Sequence, residues 1–114
     1  MMTPQLREAV YAALDRKALN LNLLNLKGIS SFTDFFLICT GTSSRHMHAI
    51  SEAILERLEE RGVKVGHIEG YNDSEWILLD YLDFVVHIFS EKAREFYELE
   101  RLWKNASREP IPTP

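Results

Sequence analysis

The sequence predicts an α/β fold: a single domain with a mixed five-stranded sheet and three helices, in the order α-β-β-α-β-β-β-α. Three observations carry this. Apolar residues recur at helical spacing in three segments, apolar runs of strand length lie between them, and turn-forming residues punctuate the joins. A chain of 114 residues is one domain's worth, with no room for a second independent core. Its composition, 46% apolar and 26% charged, is that of an ordinary soluble globular protein.

The first helix opens at Thr3-Pro4, a hydroxyl N-cap with proline at the first helical position. Leu6, Val10 and Leu14 recur at i, i+4 and i+8, carrying it to about Lys17. Leu19, Leu21 and Leu23 alternate with Asn20 and Asn22, a period of two that predicts a strand. Residues 28–33 are a turn, and Asp34 to Thr40 is almost continuously apolar, as in a strand buried on both faces. Gly41-Thr42-Ser43-Ser44 leads into a second helix striped by Met47, Ile50, Ile54 and Leu58 and stopped by Gly62.

Val63 to Ile68 completes a strand–helix–strand unit, whose two strands are expected to run parallel with a right-handed crossover. Trp76 to Tyr81 and Phe84 to Phe89 are two further strands, joined so tightly that they must form an antiparallel hairpin. Ser90-Glu91 caps a last helix striped by Phe96, Leu99 and Trp103 and reaching about Ala106. Residues 3–106 are thus expected to form the domain and residues 107–114, with three prolines, a disordered tail. Three helices cannot cover both faces of five strands. Part of one face, or an edge, is left for a partner.

Thirteen basic against seventeen acidic side chains leave a net charge of −4. Without a Lys/Arg run, such a chain is poorly suited to gripping nucleic acid by its phosphates or adsorbing to an anionic membrane. It suits a basic partner, where opposite fields speed encounter. The single Cys39 excludes an internal disulfide and a multi-cysteine zinc site, and its apolar run implies a thiol packed as a small hydrophobe. No apolar stretch reaches the roughly 20 residues of a membrane helix. The N-terminal residues resemble neither a signal nor a transit peptide, so a cytoplasmic location is expected.

Few constellations invite chemistry. His46 and His48 stand about 200° apart around a helix and cannot chelate one metal. His67 and His87 lie in separate strands, and His87 is the histidine expected to be partly buried. Gly41-Thr42-Ser43-Ser44 could cradle a phosphate, but lacks a P-loop lysine and reads better as an N-cap. Neither a metal nor a cofactor is expected. The informative group is Glu69, Asp73, Glu75, Asp80 and Asp83 around the last hairpin, together with Trp76 and Tyr81. Acids beside large aromatics suit a protein-binding surface facing basic side chains. Alternation places Trp76, Leu78 and Asp80 on one strand face and Ile77, Leu79 and Tyr81 on the other, and the face ending in Asp80 is expected to be exposed. The candidate partner-binding residues are therefore Glu69, Trp76, Leu78, Asp80, Tyr81 and Asp83.

Three ordered segments then make the chain recognisable. They are Asp34-Phe-Phe-Leu-Ile-Cys-Thr-Gly-Thr-Ser-Ser-Arg-His-Met-His-Ala-Ile50; Glu69-Gly70 with the run from Trp76 to Phe89; and Arg94-Glu-Phe-Tyr-Glu-Leu-Glu-Arg-Leu-Trp103. Together they resemble the signatures of the ribosomal silencing factor family, also called Iojap-like, over residues 3–106. The chain departs at Leu82, where the family usually has a glycine free to take positive φ. The resemblance implies a nucleotidyltransferase-like fold without catalysis. It implies binding to the large ribosomal subunit, chiefly through the fourteenth large-subunit ribosomal protein. Joining of the small subunit is then blocked sterically and translation is repressed under nutrient limitation. It also implies a homodimer in isolation. Organellar relatives assist large-subunit assembly, which is the alternative reading. An active nucleotidyltransferase is disfavoured, because that chemistry needs two carboxylates on a strand shortly after the Gly-Ser pair to hold Mg²⁺. Here the next acids, Glu52 and Glu56, fall on a helix exterior.

Overall fold

The computed structural model describes residues 2–72 and 75–114. Helix α1 (Pro4–Asp15) starts as the sequence requires, with Thr3 Oγ1 accepting the Leu6 N–H at 3.2 Å. Strand β1 (Leu19–Asn25) runs antiparallel to β2 (Phe35–Gly41), all seven residues of which are buried. Helix α2 (Ser44–Glu59) follows, capped by Ser43 and ended where Gly62 takes φ +79°. Strand β3 (His67–Glu69) leads to the hairpin of β4 (Trp76–Asp80) and β5 (Phe84–Ser90). Helix α3 (Glu91–Tyr97) and the single turn α4 (Leu99–Leu102) precede a last strand, β6 (Ser107–Glu109).

The sheet is mixed and six-stranded, in the order β3-β4-β5-β2-β1-β6, one strand more than expected. The added strand lies in the segment read as a disordered tail. Residues 107–109 pair with β1, Leu24 opposite Arg108, and so cover an edge that would otherwise be open. Beyond it, Ile111 packs against the main core.

Three further expectations are corrected. Strand β3 is shorter and later than the predicted 63–68, and its neighbour is β4 rather than β2. It does run in the same direction as β2, but β4 and β5 lie between them, and the parallel pair at the centre is β2 with β5. The last helix is broken at Glu98, which adopts φ +45° and splits α3 from α4. This break turns Phe96, expected in the apolar stripe, outward to 77% exposure. Finally, β1 does not alternate cleanly. Leu19 faces Thr40 while Asn22 faces Ile38, three residues against two, so a bulge sits at Asn20 with φ +50°. Asparagine tolerates this left-handed conformation. The extra residue moves Leu19 to the opposite face from Leu23.

The helices divide unequally between the two sheet faces. Both α1 and α2 pack on one face, where Leu23, Leu37, Ile77, Leu79, Val86 and Ile88 join Leu6, Val10, Ile50 and Ile54 in the larger core. The other face carries Leu24, Phe36, Ile38, Val85 and Phe89 and buries Ala93 and Leu99 from the short α3–α4 segment, with Tyr97 and Trp103 packed at its margin. Two large helices on one side and eleven helical residues on the other leave the second face partly open.

The β4–β5 turn shows what the departure at Leu82 costs. Leu82 adopts φ +77°, with the Asp83 N–H bonded to the Tyr81 carbonyl at 2.9 Å and its own N–H to Asp80 Oδ1 at 2.8 Å. A three-residue turn centred on a positive-φ residue is strained for any L side chain. Leu82 is 72% exposed, so its side chain returns little packing energy. Leu82→Gly is expected to raise stability by about 0.5–1 kcal/mol, the relieved strain less the extra entropy of glycine in the unfolded chain. Urea unfolding monitored by tryptophan fluorescence reads this, and an unchanged or lower midpoint contradicts it.

Candidate partner-binding site

The open face is built strand by strand. In a sheet, residues directly opposed across strands share a face. One row runs Glu69–Leu78–His87–Ile38–Asn22, and the next His67–Asp80–Val85–Phe36–Leu24–Arg108. Trp76 lies opposite Phe89, which lies opposite Thr40, in a third. Trp76, Leu78 and Asp80 are therefore on the open face and half-buried, while Ile77 and Leu79 are fully buried beneath α2, as the alternation predicts.

Aromatic rings cover this face almost continuously. The Trp76 ring lies 4.9 Å from Phe89 and 4.9 Å from Tyr97, centroid to centroid. It continues to His87 at 5.8 Å, from there to Phe36 at 4.4 Å, and on to Trp103 at 5.7 Å. Phe32, 63% exposed, closes the row 6.5 Å from Trp103.

His87 holds this arrangement in place. The Trp76 Nε1–H donates to His87 Nδ1 at 3.1 Å. Nδ1 must therefore be unprotonated, which leaves the ring proton on Nε2. That atom is buried and has no hydrogen-bond partner among the described residues. Burial pushes His87 down to about 3, against the opposing pull of Glu100, so the imidazole is neutral at ordinary pH.

Between β3, β4 and α3 the face opens into a cleft of about 240 Å³ lined by Glu69, Gly70, Glu75, Trp76, Leu78 and Tyr97. Two carboxylates beside two aromatic rings suit a cationic side chain, through ion pairing and attraction to the ring faces. Both acids have local contacts: Ser90 Oγ donates to Glu75 Oε1 at 2.9 Å, and His67 Nε2 meets Glu69 Oε2 at 2.9 Å.

Behind the cleft, Arg94 anchors the helical segment to the sheet. It donates to Glu100 Oε2 at 2.5 Å, to Thr40 Oγ1 at 2.8 Å and to the Asn20 carbonyl at 2.8 Å. Asn22 Nδ2 adds a bond to the same Glu100 oxygen at 2.6 Å. Burial alone would raise the Glu100 carboxyl, but the bonds from Arg94 hold it below the usual carboxylate value. The β1 bulge thus presents the Asn20 carbonyl to Arg94.

Of the candidate residues, Glu69, Trp76 and Leu78 come together in the cleft. Asp80 lies on the same face but also caps the Leu82 amide. Asp83 is exposed at the hairpin tip, in a shallow hollow with Phe32 and Leu82. Tyr81 does not belong to the surface. It is 8% exposed, stacked on Phe84 in the core beneath the helices, and burial, with Glu59 nearby, pushes its hydroxyl up to about 12. The strand alternation continues through Tyr81, which shares the inward face of Ile77 and Leu79. Asp73 lies outside the described residues. Sequence reasoning missed Tyr97, the exposed ring beside Trp76, and Phe36 and His87, the buried rings that continue the aromatic row beneath the surface.

The remaining motifs have structural roles. The Thr42 amide donates to His46 Nδ1 at 2.9 Å and the His46 amide to Ser43 Oγ at 3.0 Å, so the loop before α2 satisfies its own donors. His46 Nε2 then donates to the Arg16 carbonyl at 2.7 Å, tying the end of α1 to the start of α2. Gly41 is required here, because a Cβ would lie 2.6 Å from Met47 Cγ. His48 Nε2 bonds the Tyr71 carbonyl at 2.5 Å, and the Tyr71 hydroxyl bonds Glu52, strapping the loop after β3 to α2. Cys39 is fully buried and its thiol is pushed up to about 12 by desolvation, consistent with packing as a hydrophobe.

The comparisons with known proteins converge. The chain is 43% identical over 101 residues to "Ribosomal silencing factor RsfS" of Halalkalibacterium halodurans, covering 89% of this chain and 86% of that protein. It is 39% identical over 101 residues to the protein of the same name in Bacillus subtilis, with the same coverage. A crystal structure of protein CV0518 from Chromobacterium violaceum superposes with a TM-score of 0.85 at 28% identity, over 99% of this chain and 95% of that one. The family described as "Ribosomal silencing factor during starvation" matches residues 2–114. With the family pattern spanning sheet, helices and aromatic face alike, this chain belongs to the ribosomal silencing factor family.

Proposed function

We propose that this protein docks its open aromatic face on the large ribosomal subunit, chiefly on the fourteenth large-subunit ribosomal protein, and so silences translation when nutrients are scarce. The observation that carries the reading is the acid-rimmed cleft of Glu69, Glu75, Trp76, Leu78 and Tyr97 on the face that α1 and α2 leave uncovered. Large-subunit proteins are generally basic, and an acidic, aromatic, largely pre-formed surface is their physical complement. The names of the relatives, ribosomal silencing factors, point the same way.

Inhibition on this reading is steric. A body measuring 35 × 34 × 26 Å, seated on the surface that faces the small subunit, keeps the two subunits from meeting. No bond is made or broken. Although the family resemblance carries a nucleotidyltransferase-like architecture, Glu52 and Glu56 project from the exposed side of α2 rather than from a strand beside Gly41 and Ser43. The protein acts in the cytoplasm, and a homodimer is its form in isolation.

Sedimentation of a lysate containing tagged protein tests the reading. The protein is expected in the large-subunit peak and absent from joined ribosomes. Its confinement to the top of the gradient contradicts the proposal.

A further inference from the structure

The open face is electrically divided. Its acids, Glu69 and Asp80, lie on β3 and β4, while Arg108 lies at the other edge on β6, in the same cross-strand row as Asp80. With six strands at about 4.8 Å spacing, the two edges are about 24 Å apart. At the β6 edge a second hollow, of about 280 Å³, is lined by Leu24, Glu100, Arg101, Trp103, Lys104, Ala106 and Arg108. Its acid is already neutralised, since Glu100 is held by Arg94. Glu109 alternates to the opposite face, where it accepts from Asn25. Among the described residues Arg101 pairs with Glu98 alone, through exposed contacts of 3.3 and 3.4 Å. Lys104 and Arg108 carry no ion pair among the described residues. Trp103 lines this hollow and also belongs to the aromatic row that reaches Trp76.

We infer that Lys104 and Arg108, with Trp103 between the two ends of the face, contact ribosomal RNA phosphates while the acidic end holds the ribosomal protein. The inference rests on the docking proposed above and goes beyond it by naming a second, chemically opposite partner on the same face. A ribosomal surface presents basic protein beside polyphosphate, and one face carrying acids at one edge and free cations at the other matches such a boundary. The contact is to backbone charge, so it positions the protein without reading sequence. It also offers an acidic chain a local cationic contact with an RNA-rich particle, because the strand acids Glu69 and Asp80 lie toward the other edge of the face.

The test is the double variant Lys104→Gln/Arg108→Gln, both positions being exposed and outside the core. Binding is measured to purified large subunits at 50–200 mM salt and to the purified fourteenth ribosomal protein alone. Losing two phosphate contacts lowers the salt slope by about 1.4, so binding to subunits weakens about sevenfold less across that range than for the wild type. Binding to the isolated ribosomal protein is expected to be unchanged. An unaltered slope overturns the inference, as does an equal loss on the isolated protein, which assigns these cations to a protein contact. If the wild type binds neither target, it is the docking proposal that fails.

Discussion

Trp76→Ala is expected to weaken binding to the large ribosomal subunit 30-fold or more, the loss of a central interface aromatic worth about 2 kcal/mol or above. Trp76 sits where the cleft meets the aromatic row, packed on Phe89 and Tyr97 and fixed by its bond to His87. A rigid, half-exposed indole of this kind loses little conformational freedom on binding. Because its removal also thins the smaller core, Tyr97→Ala serves as the companion variant. Tyr97 is 47% exposed and touches Trp76 from the surface, so its loss weakens binding with less effect on the fold. Both variants are measured by equilibrium binding after their thermal unfolding midpoints are compared. Wild-type affinity in both contradicts the assignment of the site. Asp80→Lys is a poorer probe, since Asp80 also supports the strained Leu82 turn.

Acidification is expected to destabilise the protein through His87 before any carboxylate contributes. The ordinary histidine value is about 6.5, and the folded protein lowers His87 to about 3. Between these values the unfolded chain binds a proton that the folded protein excludes. Stability therefore falls as pH falls from 6.5 toward 3, and is fully present above 6.5. Linkage gives a loss of about 1.5 kcal/mol between pH 6.5 and pH 5 from this residue. Glu8 and Glu100, held below the usual carboxylate value, lose their contributions only at lower pH. His87→Phe is expected to flatten the stability profile in the pH 5–6.5 window by that amount. The other histidines are common to both proteins and cancel in the comparison. A slope unchanged by the substitution contradicts the buried, neutral state of His87. Since Trp76 leans on His87 Nδ1, the same protonation frees the indole at the binding face.

Much of this architecture is legible because the main elements carry strong local signals. The caps at Thr3, Ser43 and Ser90 lie where hydroxyl residues precede helical stripes, and each makes its expected bond. Alternation alone separates Trp76 and Leu78 from Ile77 and Leu79. What was missed is tertiary. Ser107-Arg108-Glu109 has no apolar period, and it becomes a strand only because β1 offers an edge. The break at Glu98 requires a left-handed residue that is not glycine, so nothing in the helical spacing marks it. The site was half-read for the same reason. Residues 36, 76, 87, 97 and 103 meet only once β5 lies beside both β4 and β2. The usable signal is that β2 and β5 are both nearly continuous apolar runs, the mark of adjacent central strands, with Phe36 on β2 and His87 and Phe89 on β5 sharing the face of Trp76.

On the proposed reading, the aromatic face, seated on the large subunit, keeps the small subunit away. Purified large and small subunits, mixed with excess protein under joining conditions and resolved on a sucrose gradient, test it most directly. The wild-type protein is expected to reduce the joined peak and comigrate with large subunits, while Trp76→Ala leaves the joined peak intact. A joined peak unaffected by the wild-type protein, or reduced equally by Trp76→Ala, contradicts the account.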